Sequence, residues 1–183
     1  MKLKYIPNII TLCRLVLIAP FVAFIMNGKY PQAFYVFIIA GLSDGLDGWL
    51  ARQFNWQTEF GGFIDPLADK LLVATSFLTL GILGQIPWWL VILVFARDIT
   101  ISIGVIAWYV FIGQKIQFTP TNLSKINTAL QLTLVTISLF ELAYFNAPSA
   151  LTISLVAATT VSTLLSYGDY VYTWGKKAYK ISN

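Results

Sequence analysis

Six apolar stretches, each long enough to cross a bilayer and separated by short polar breaks, leave this chain few folds to choose from. A spanning helix needs about 20 mostly apolar residues, and inside hydrocarbon each backbone polar group must find its partner within the protein. The stretches run Ile9–Met26, Pro31–Ala51, Gly61–Leu83, Pro87–Ile112, Leu123–Tyr144 and Ser149–Tyr172. The breaks are Asn27-Gly28-Lys29, the polar run Arg52–Glu59, Gly84-Gln85-Ile86, Gln114–Asn122 and Asn146-Ala147-Pro148. Pro31, Pro87 and Pro148 each suit a first helical turn, where the missing N–H would have no partner anyway. Only 11% of the residues are charged, against about 25% in a soluble domain. The expected fold is therefore an all-α integral membrane protein, a six-helix bundle in one domain over residues 1–183. The beginning imitates a secretory leader, but Arg14 interrupts its apolar run and no clear small-residue cleavage site follows, so it reads as a first helix.

Six spans put both termini on one side of the membrane. That side holds Lys2, Lys4, Arg52, Lys115, Lys176, Lys177 and Lys180, while the opposite loops hold only Lys29. The positive-inside bias places both termini and the Arg52–Glu59 loop in the cytoplasm, with the chain in the cell's inner membrane. Trp88, Trp89 and Trp174 read as interfacial belt residues. The net charge of +4 forms no stripe on a soluble face, so no nucleic-acid partner is expected.

Histidine is absent and Cys13 is the single cysteine. His-liganded zinc, haem and Ser-His-Asp chemistry are thereby excluded. Acid, base and metal chemistry falls to eight acidic residues. Four of them sit in the segment from Gly41 to Leu72: Asp44 and Asp47 three apart, Asp65 and Asp69 four apart. On a helix each pair shares a face at about 4.5–6 Å along the axis. The short loop between the two helices makes them antiparallel neighbours, so the pairs converge. A charge at mid-membrane costs about 2.5–3.5 kcal/mol on insertion scales. Four converging carboxylates call for compensation, and all-oxygen ligation favours a hard cation such as Mg²⁺, Mn²⁺ or Ca²⁺. Two ions would balance four carboxylates and clamp the attacking and leaving oxygens of a phosphoryl transfer. The bland alternative is ion pairing with Arg52, Lys70 and Arg97. Gly45, Gly48 and Ala51 leave little bulk beside Asp44 and Asp47, suited either to close helix packing or to a planar ligand.

The run Asp44-x-x-Asp47-Gly48-x-x-Ala51-Arg52, then eight residues, then Gly61-x-x-x-Asp65-x-x-x-Asp69, resembles the signature of the CDP-alcohol phosphotransferases at each of its fixed positions. The six-helix layout and Pro7-Asn8 before the first span are similar to that family too. The resemblance implies a membrane enzyme that displaces CMP from a CDP-linked substrate and passes its phosphoryl group to an alcohol. It implies Asp44, Asp47 and Asp65 as ligands of two Mg²⁺ or Mn²⁺ ions, and Asp69 as ligand and general base. Gly48 and Ala51 would make room for the cytidine, with Gly61 in the same donor-binding set and Arg52 near the diphosphate. Asn8, Thr11 and Arg14, near the cytoplasmic end of the first helix, serve either as nucleotide and phosphate contacts or as interfacial anchors. Homodimerisation is implied by the resemblance alone.

The later helices bear on the acceptor. Members that use glycerol 3-phosphate carry an Arg-Glu pair with a second arginine eight residues after the first, and a Gly-Lys-x-Lys-Thr-like run, cations that suit a doubly charged phosphate. Here Arg97 is followed by Asp98, the later position is Val105, and the fifth helix opens Ser124-Lys125-Ile126-Asn127-Thr128. That pattern resembles the cardiolipin synthase branch, whose donor is CDP-diacylglycerol and whose acceptor is phosphatidylglycerol, with Arg97 and Lys125 as acceptor-binding residues. Snorkelling, or pairing of Arg97 with Asp98, is the structural alternative for these two. The neighbouring expectation is phosphatidylglycerophosphate synthesis. Aspartate-rich prenyltransferases differ in having their acidic motifs far apart in sequence. A cation transporter using intramembrane aspartates is the competing class, against which stands the lack of matching repeats.

Overall fold

A computed structural model describes residues 6–54, 56, 59–112, 121–145 and 148–182, and among these the side chains of 7–51, 53–54, 56, 61, 64–104, 121–145 and 148–172. The described residues form six α-helices and no strand: α1 (Ile6–Met26), α2 (Tyr30–Gln53), α3 (Glu59–Ile82), α4 (Trp88–Ile112), α5 (Asn122–Ala143) and α6 (Ser149–Ser182). Four stretches, Pro7–Met26, Tyr30–Ala51, Asn122–Ala143 and Ser149–Tyr172, are long and apolar enough to cross a bilayer. The chain is a multi-pass membrane protein. α3, at 24 residues, has the length but carries Asp65, Asp69 and Lys70. α4 has 25 residues.

The glycines end helices where the sequence suggests. Gly28 adopts φ +68° and Gly84 φ +74°, the left-handed region that glycine enters without steric cost. Lys29 N–H reaches Phe24 C=O at 2.8 Å and Gly28 N–H reaches Ile25 C=O at 3.1 Å. The same pair recurs as Gln85 to Leu80 and Gly84 to Gly81, so α1 and α3 both close in Schellman motifs. Pro31 lies in the first turn of α2, while Pro87 and Pro148 immediately precede α4 and α6. The end of α6 departs from expectation: the helix runs on from Tyr172 to Ser182. The apolar span ends there, but no proline follows to stop the backbone.

The chain divides into two compact units, Met1–Gln85 with Val135–Ala147, and Ile86–Leu134 with Pro148–Asn183. In the first, α1 packs against both α2 and α3. Its inward faces are single stripes at three- and four-residue spacing, as coiled packing demands. On α1 the stripe is Pro7, Thr11, Arg14, Phe21 and Ile25, and on α2 it is Ala33, Phe37, Ala40 and Asp47. On α3 it includes Gly61, Ala68, Leu72, Ser76 and Leu80. One end of each stripe is apolar, with Phe21 and Phe37 ring to ring at 5.9 Å. The other end is polar. Lipid-side positions such as Ile9, Val16, Ile39 and Leu42 are exposed and apolar.

In the second unit α4 packs on α6. Leu90, Val91 and Val94 of α4 and Leu134 of α5 are buried, as are Asn127 and Gln131 of α5 and Thr159, Thr163 and Ser166 of α6.

Candidate active site

The polar ends of the α1, α2 and α3 stripes meet at one guanidinium. Arg14 has a side chain fully removed from solvent. Its Nη1 donates to Asp44 Oδ1 at 2.9 Å and to Asp69 Oδ1 at 2.5 Å, and its Nη2 donates to Asp47 Oδ2 at 2.6 Å. Nε reaches Ser43 Oγ at 3.4 Å. Thr11, one turn earlier on the same face, puts its hydroxyl 2.7 Å from Asp65 Oδ1 and 3.1 Å from Asp47 Oδ2, with its own Pro7 carbonyl also at 3.1 Å. The four carboxylates are thus brought together by two side chains of α1.

Helical spacing explains the convergence. Asp44 and Asp47 continue the Ala33, Phe37, Ala40 stripe, and Asp65 and Asp69 lie beside Ala68 on α3, so each pair faces α1 because its stripe does. The two acidic pairs converge as expected, but they do so on α1, which packs against both α2 and α3.

The charges do not balance. In the ion pairs seen here one guanidinium meets three carboxylates, and the fourth, Asp65, is held by the Thr11 hydroxyl, so among these groups negative charge is in surplus when all are ionised. The oxygens of Asp44 and Asp69 that share Nη1 lie within about 5.5 Å of each other, where like charges repel by roughly 3 kcal/mol at an effective dielectric near 20. Asp47 is 3% exposed, whereas the Asp44 and Asp69 side chains remain 46% and 44% exposed. Asp44 and Asp69 are open to a ligand, Asp65 is half-buried and Asp47 is enclosed.

The donor set is entirely oxygen, four carboxylates and one hydroxyl, which is the chemistry of a hard divalent cation. Among the described residues no three acidic, histidine or cysteine side chains are grouped as a ready cage. Arg14 supplies the positive charge between them. In donor chemistry and surplus negative charge the cluster fits a divalent ion. An ion would take Asp44, Asp47, Asp65 and Asp69 as ligands in exchange for contacts now made by Arg14.

Other expected site residues fall as follows. Gly48 and Ala51, one turn beyond Asp44 and Asp47 on α2, are half-buried, and Gly61, one turn before Asp65, is buried. Asn8 is half-buried in the first turn of α1. The side chain of Arg52 lies outside the described residues. Gly45 is exposed, and a Cβ there would meet nothing within 4 Å, so close helix packing does not explain it. Arg97 and Lys125 belong to the second unit. Arg97 is buried and donates to Asp98 Oδ1 at 2.6 Å and to Ser124 and Ser166 Oγ, each at 2.8 Å. Lys125 is exposed in the first turn of α5.

The ion-pair alternative put Arg52, Lys70 and Arg97 opposite the aspartates. Of these, Arg97 pairs with Asp98 instead; ion pairing of the aspartates is nevertheless present, made by Arg14. Arg14 was readable as more than an interruption: it is the only charged residue between Pro7 and Met26, and it shares a helix face with Pro7 and Thr11. Ser43, Ser124 and Ser166, which support the two arginines, gave no comparable signal.

Helices α1–α3 of a multi-pass membrane protein thus gather four carboxylates on Arg14 and Thr11, with small residues one turn away. The family model described as CDP-alcohol phosphatidyltransferase matches residues 4–167, and the chain belongs to that family, whose members are enzymes of phospholipid synthesis. It is 30% identical over 176 residues to a probable phosphatidylglycerophosphate synthase of Mycobacterium tuberculosis, covering 93% of this chain and 81% of the relative. It is 33% identical over 181 residues to a probable CMP-forming cardiolipin synthase of Drosophila melanogaster, covering 88% of this chain and 56% of that protein. A CDP-diacylglycerol–glycerol-3-phosphate 3-phosphatidyltransferase of Salmonella choleraesuis is 34% identical over 134 residues, covering 69% of this chain and 72% of the relative. The family assignment removes the transporter alternative.

Proposed function

We propose that this protein transfers a phosphatidyl group from CDP-diacylglycerol to phosphatidylglycerol, forming cardiolipin and releasing CMP. The observation that carries the choice of acceptor is the state of Arg97. Its charge is met by Asp98 at 2.6 Å, and the buried α5 position one turn on is the neutral Asn127. Among the described side chains of this unit the cations are Arg97, already paired, and Lys125, fewer than a doubly charged glycerol 3-phosphate asks for; a lipid phosphodiester asks for fewer. The resemblance to the Mycobacterium protein supports the second reading, phosphatidylglycerophosphate synthesis with glycerol 3-phosphate as acceptor.

In this reading Asp44, Asp47, Asp65 and Asp69 hold Mg²⁺ or Mn²⁺, which when bound stabilises the diphosphate charge and makes CMP a better leaving group. Asp69 takes the proton of the acceptor hydroxyl. An alcohol is a weak nucleophile at neutral pH and gains from a carboxylate base placed beside it, and the Asp69 carboxylate is half open. The acceptor oxygen forms its bond to the phosphatidyl phosphorus as the diphosphate P–O bond to CMP breaks. Gly48 and Ala51 leave space for the cytidine, and Arg14 and Arg52 are the cations for the diphosphate. The lysine bias supports a site on the cytoplasmic face of the cell membrane.

The test offers CDP-diacylglycerol and Mg²⁺ to the purified protein, with phosphatidylglycerol and glycerol 3-phosphate in separate reactions, and identifies the lipid product by mass spectrometry. Cardiolipin is expected. Phosphatidylglycerophosphate alone would replace the acceptor assignment. In the same assay Asp69→Asn should lower CMP release by about 10²–10⁴-fold; near-normal release would remove Asp69 as base.

A further inference from the structure

The second unit buries polar groups that the transfer chemistry leaves unexplained. They form rungs along an antiparallel seam between α5 and α6. At the first rung Arg97 bonds both Ser124 of α5 and Ser166 of α6. One turn further along, Asn127 Oδ1 accepts from Ser162 and Thr163 Oγ, each at 2.8 Å. Advancing α5 by four residues and α6 by the same number in the opposite sense brings Gln131 and Thr159 to the next rung. Each rung is buried: Arg97 is 7% exposed, Asn127 0% and Gln131 3%.

Among the described residues, three nitrogens in this seam, Arg97 Nε, Asn127 Nδ2 and Gln131 Nε2, and the Thr159 hydroxyl beside them have no hydrogen-bond partner. Buried donors are nearly always paired, because stripping water from an N–H without replacing the bond is costly. Three such donors on neighbouring turns call for acceptor oxygens. Arg97 is already neutralised by Asp98, so the seam carries no surplus positive charge to draw a phosphate. An uncharged acceptor fits. Within hydrocarbon that class is represented by the ester carbonyls of acyl lipids.

We propose that the α5–α6 seam is a binding site for the ester carbonyls of a diacyl lipid, with Asn127 Nδ2 and Gln131 Nε2 as its donors. Donor and acceptor lipids both carry such esters, so the site is a recognition element for the glycerol–ester region of one of them. The inference rests on the reading that the substrates are diacyl lipids.

The experiment uses full-length protein in maltoside detergent, which has no esters. Turnover is compared for ester-linked and ether-linked phosphatidylglycerol against ester-linked CDP-diacylglycerol, then for the converse pairing. A lipid bound through this seam should lose about fivefold in kcat/KM when its carbonyl is removed, and whichever arm shows the loss identifies the lipid. Gln131→Met and Asn127→Leu should each bring the ester-to-ether ratio towards one. Equal rates on ester and ether forms of both lipids, or a ratio unchanged in both variants, overturn the proposal. Should phosphatidylglycerol fail as acceptor, the CDP-diacylglycerol arm is run with glycerol 3-phosphate. Should no pair turn over, native mass spectrometry of ester against ether lipids reads the same ratio as binding.

Discussion

Replacing Arg14 by methionine removes the one cation shared by three carboxylates while keeping an unbranched apolar stem of similar reach. Arg14 is fully buried and bonds Asp44, Asp47 and Asp69 at 2.5–2.9 Å. Breaking a buried ion pair from one side costs about 3–5 kcal/mol, because the abandoned charge stays where it was. Here three abandoned carboxylates also repel one another at about 3 kcal/mol for a pair 5.5 Å apart. Asp44 and Asp69 are nearly half exposed and screened by solvent, so the cost falls mainly on the buried Asp47, and Arg14→Met should lose about 3–5 kcal/mol in chelator, a large share of the ~5–15 kcal/mol that typically holds a fold. Arg14→Lys should lose less, retaining the charge without the planar fork that serves three acids at once. The assay is thermal or denaturant unfolding in detergent, with chelator and with a Mg²⁺ series. Since Mg²⁺ and the guanidinium compete for the same oxygens, the methionine variant should also gain more from added Mg²⁺ than wild type does. A ligand at 100 times its Kd stabilises by about 2.7 kcal/mol, so a partial rescue is readily measured. If Arg14→Met in chelator unfolds within about 1 kcal/mol of wild type, the electrostatic account of the cluster is wrong.

Two smaller changes probe the same cluster. Thr11→Val removes the hydroxyl between Asp47 and Asp65 at nearly constant volume; a lost bond to a charged group is worth about 1.5–3 kcal/mol, and the Mg²⁺ concentration for half-maximal CMP release should shift by at least tenfold. Gly45→Ala meets open space and gains helix propensity of up to about 1 kcal/mol. It should leave CMP release unchanged while raising the unfolding midpoint, and a loss of activity would show that Gly45 lies against substrate.

The fold was legible because hydrocarbon enforces a simple rule: helix boundaries fell within a few residues of the polar breaks, among them those containing Gly28 and Gly84, except at the end of α6. The aspartate face was legible because spacing alone puts Asp44 with Asp47 and Asp65 with Asp69. Less visible was α1 as the third wall of the site. Its stripe of Pro7, Thr11 and Arg14 has the right period, yet a single arginine near a membrane surface reads equally well as an anchor, and the deciding fact is which helix lies between the other two. The extension of α6 past its apolar span was hidden for a related reason, since hydropathy marks where lipid ends and says nothing of where a backbone stops. The partners of Arg97 are serines more than 25 positions away, and serine carries no pattern to flag them.

The tight cap at Gly28 has a consequence for how this protein can change. It joins α1 to α2 without slack, so the hairpin works as a ruler that sets Arg14 and Thr11 level with Asp44 and Asp47. Adding or deleting one residue in either arm between cap and site would turn everything beyond it by about 100° and slide it by 1.5 Å, swinging the arginine or the acids out to lipid. Only steps of about seven residues restore the facing. The chemistry at one end therefore limits how freely the hairpin can be tailored to thicker or thinner membranes.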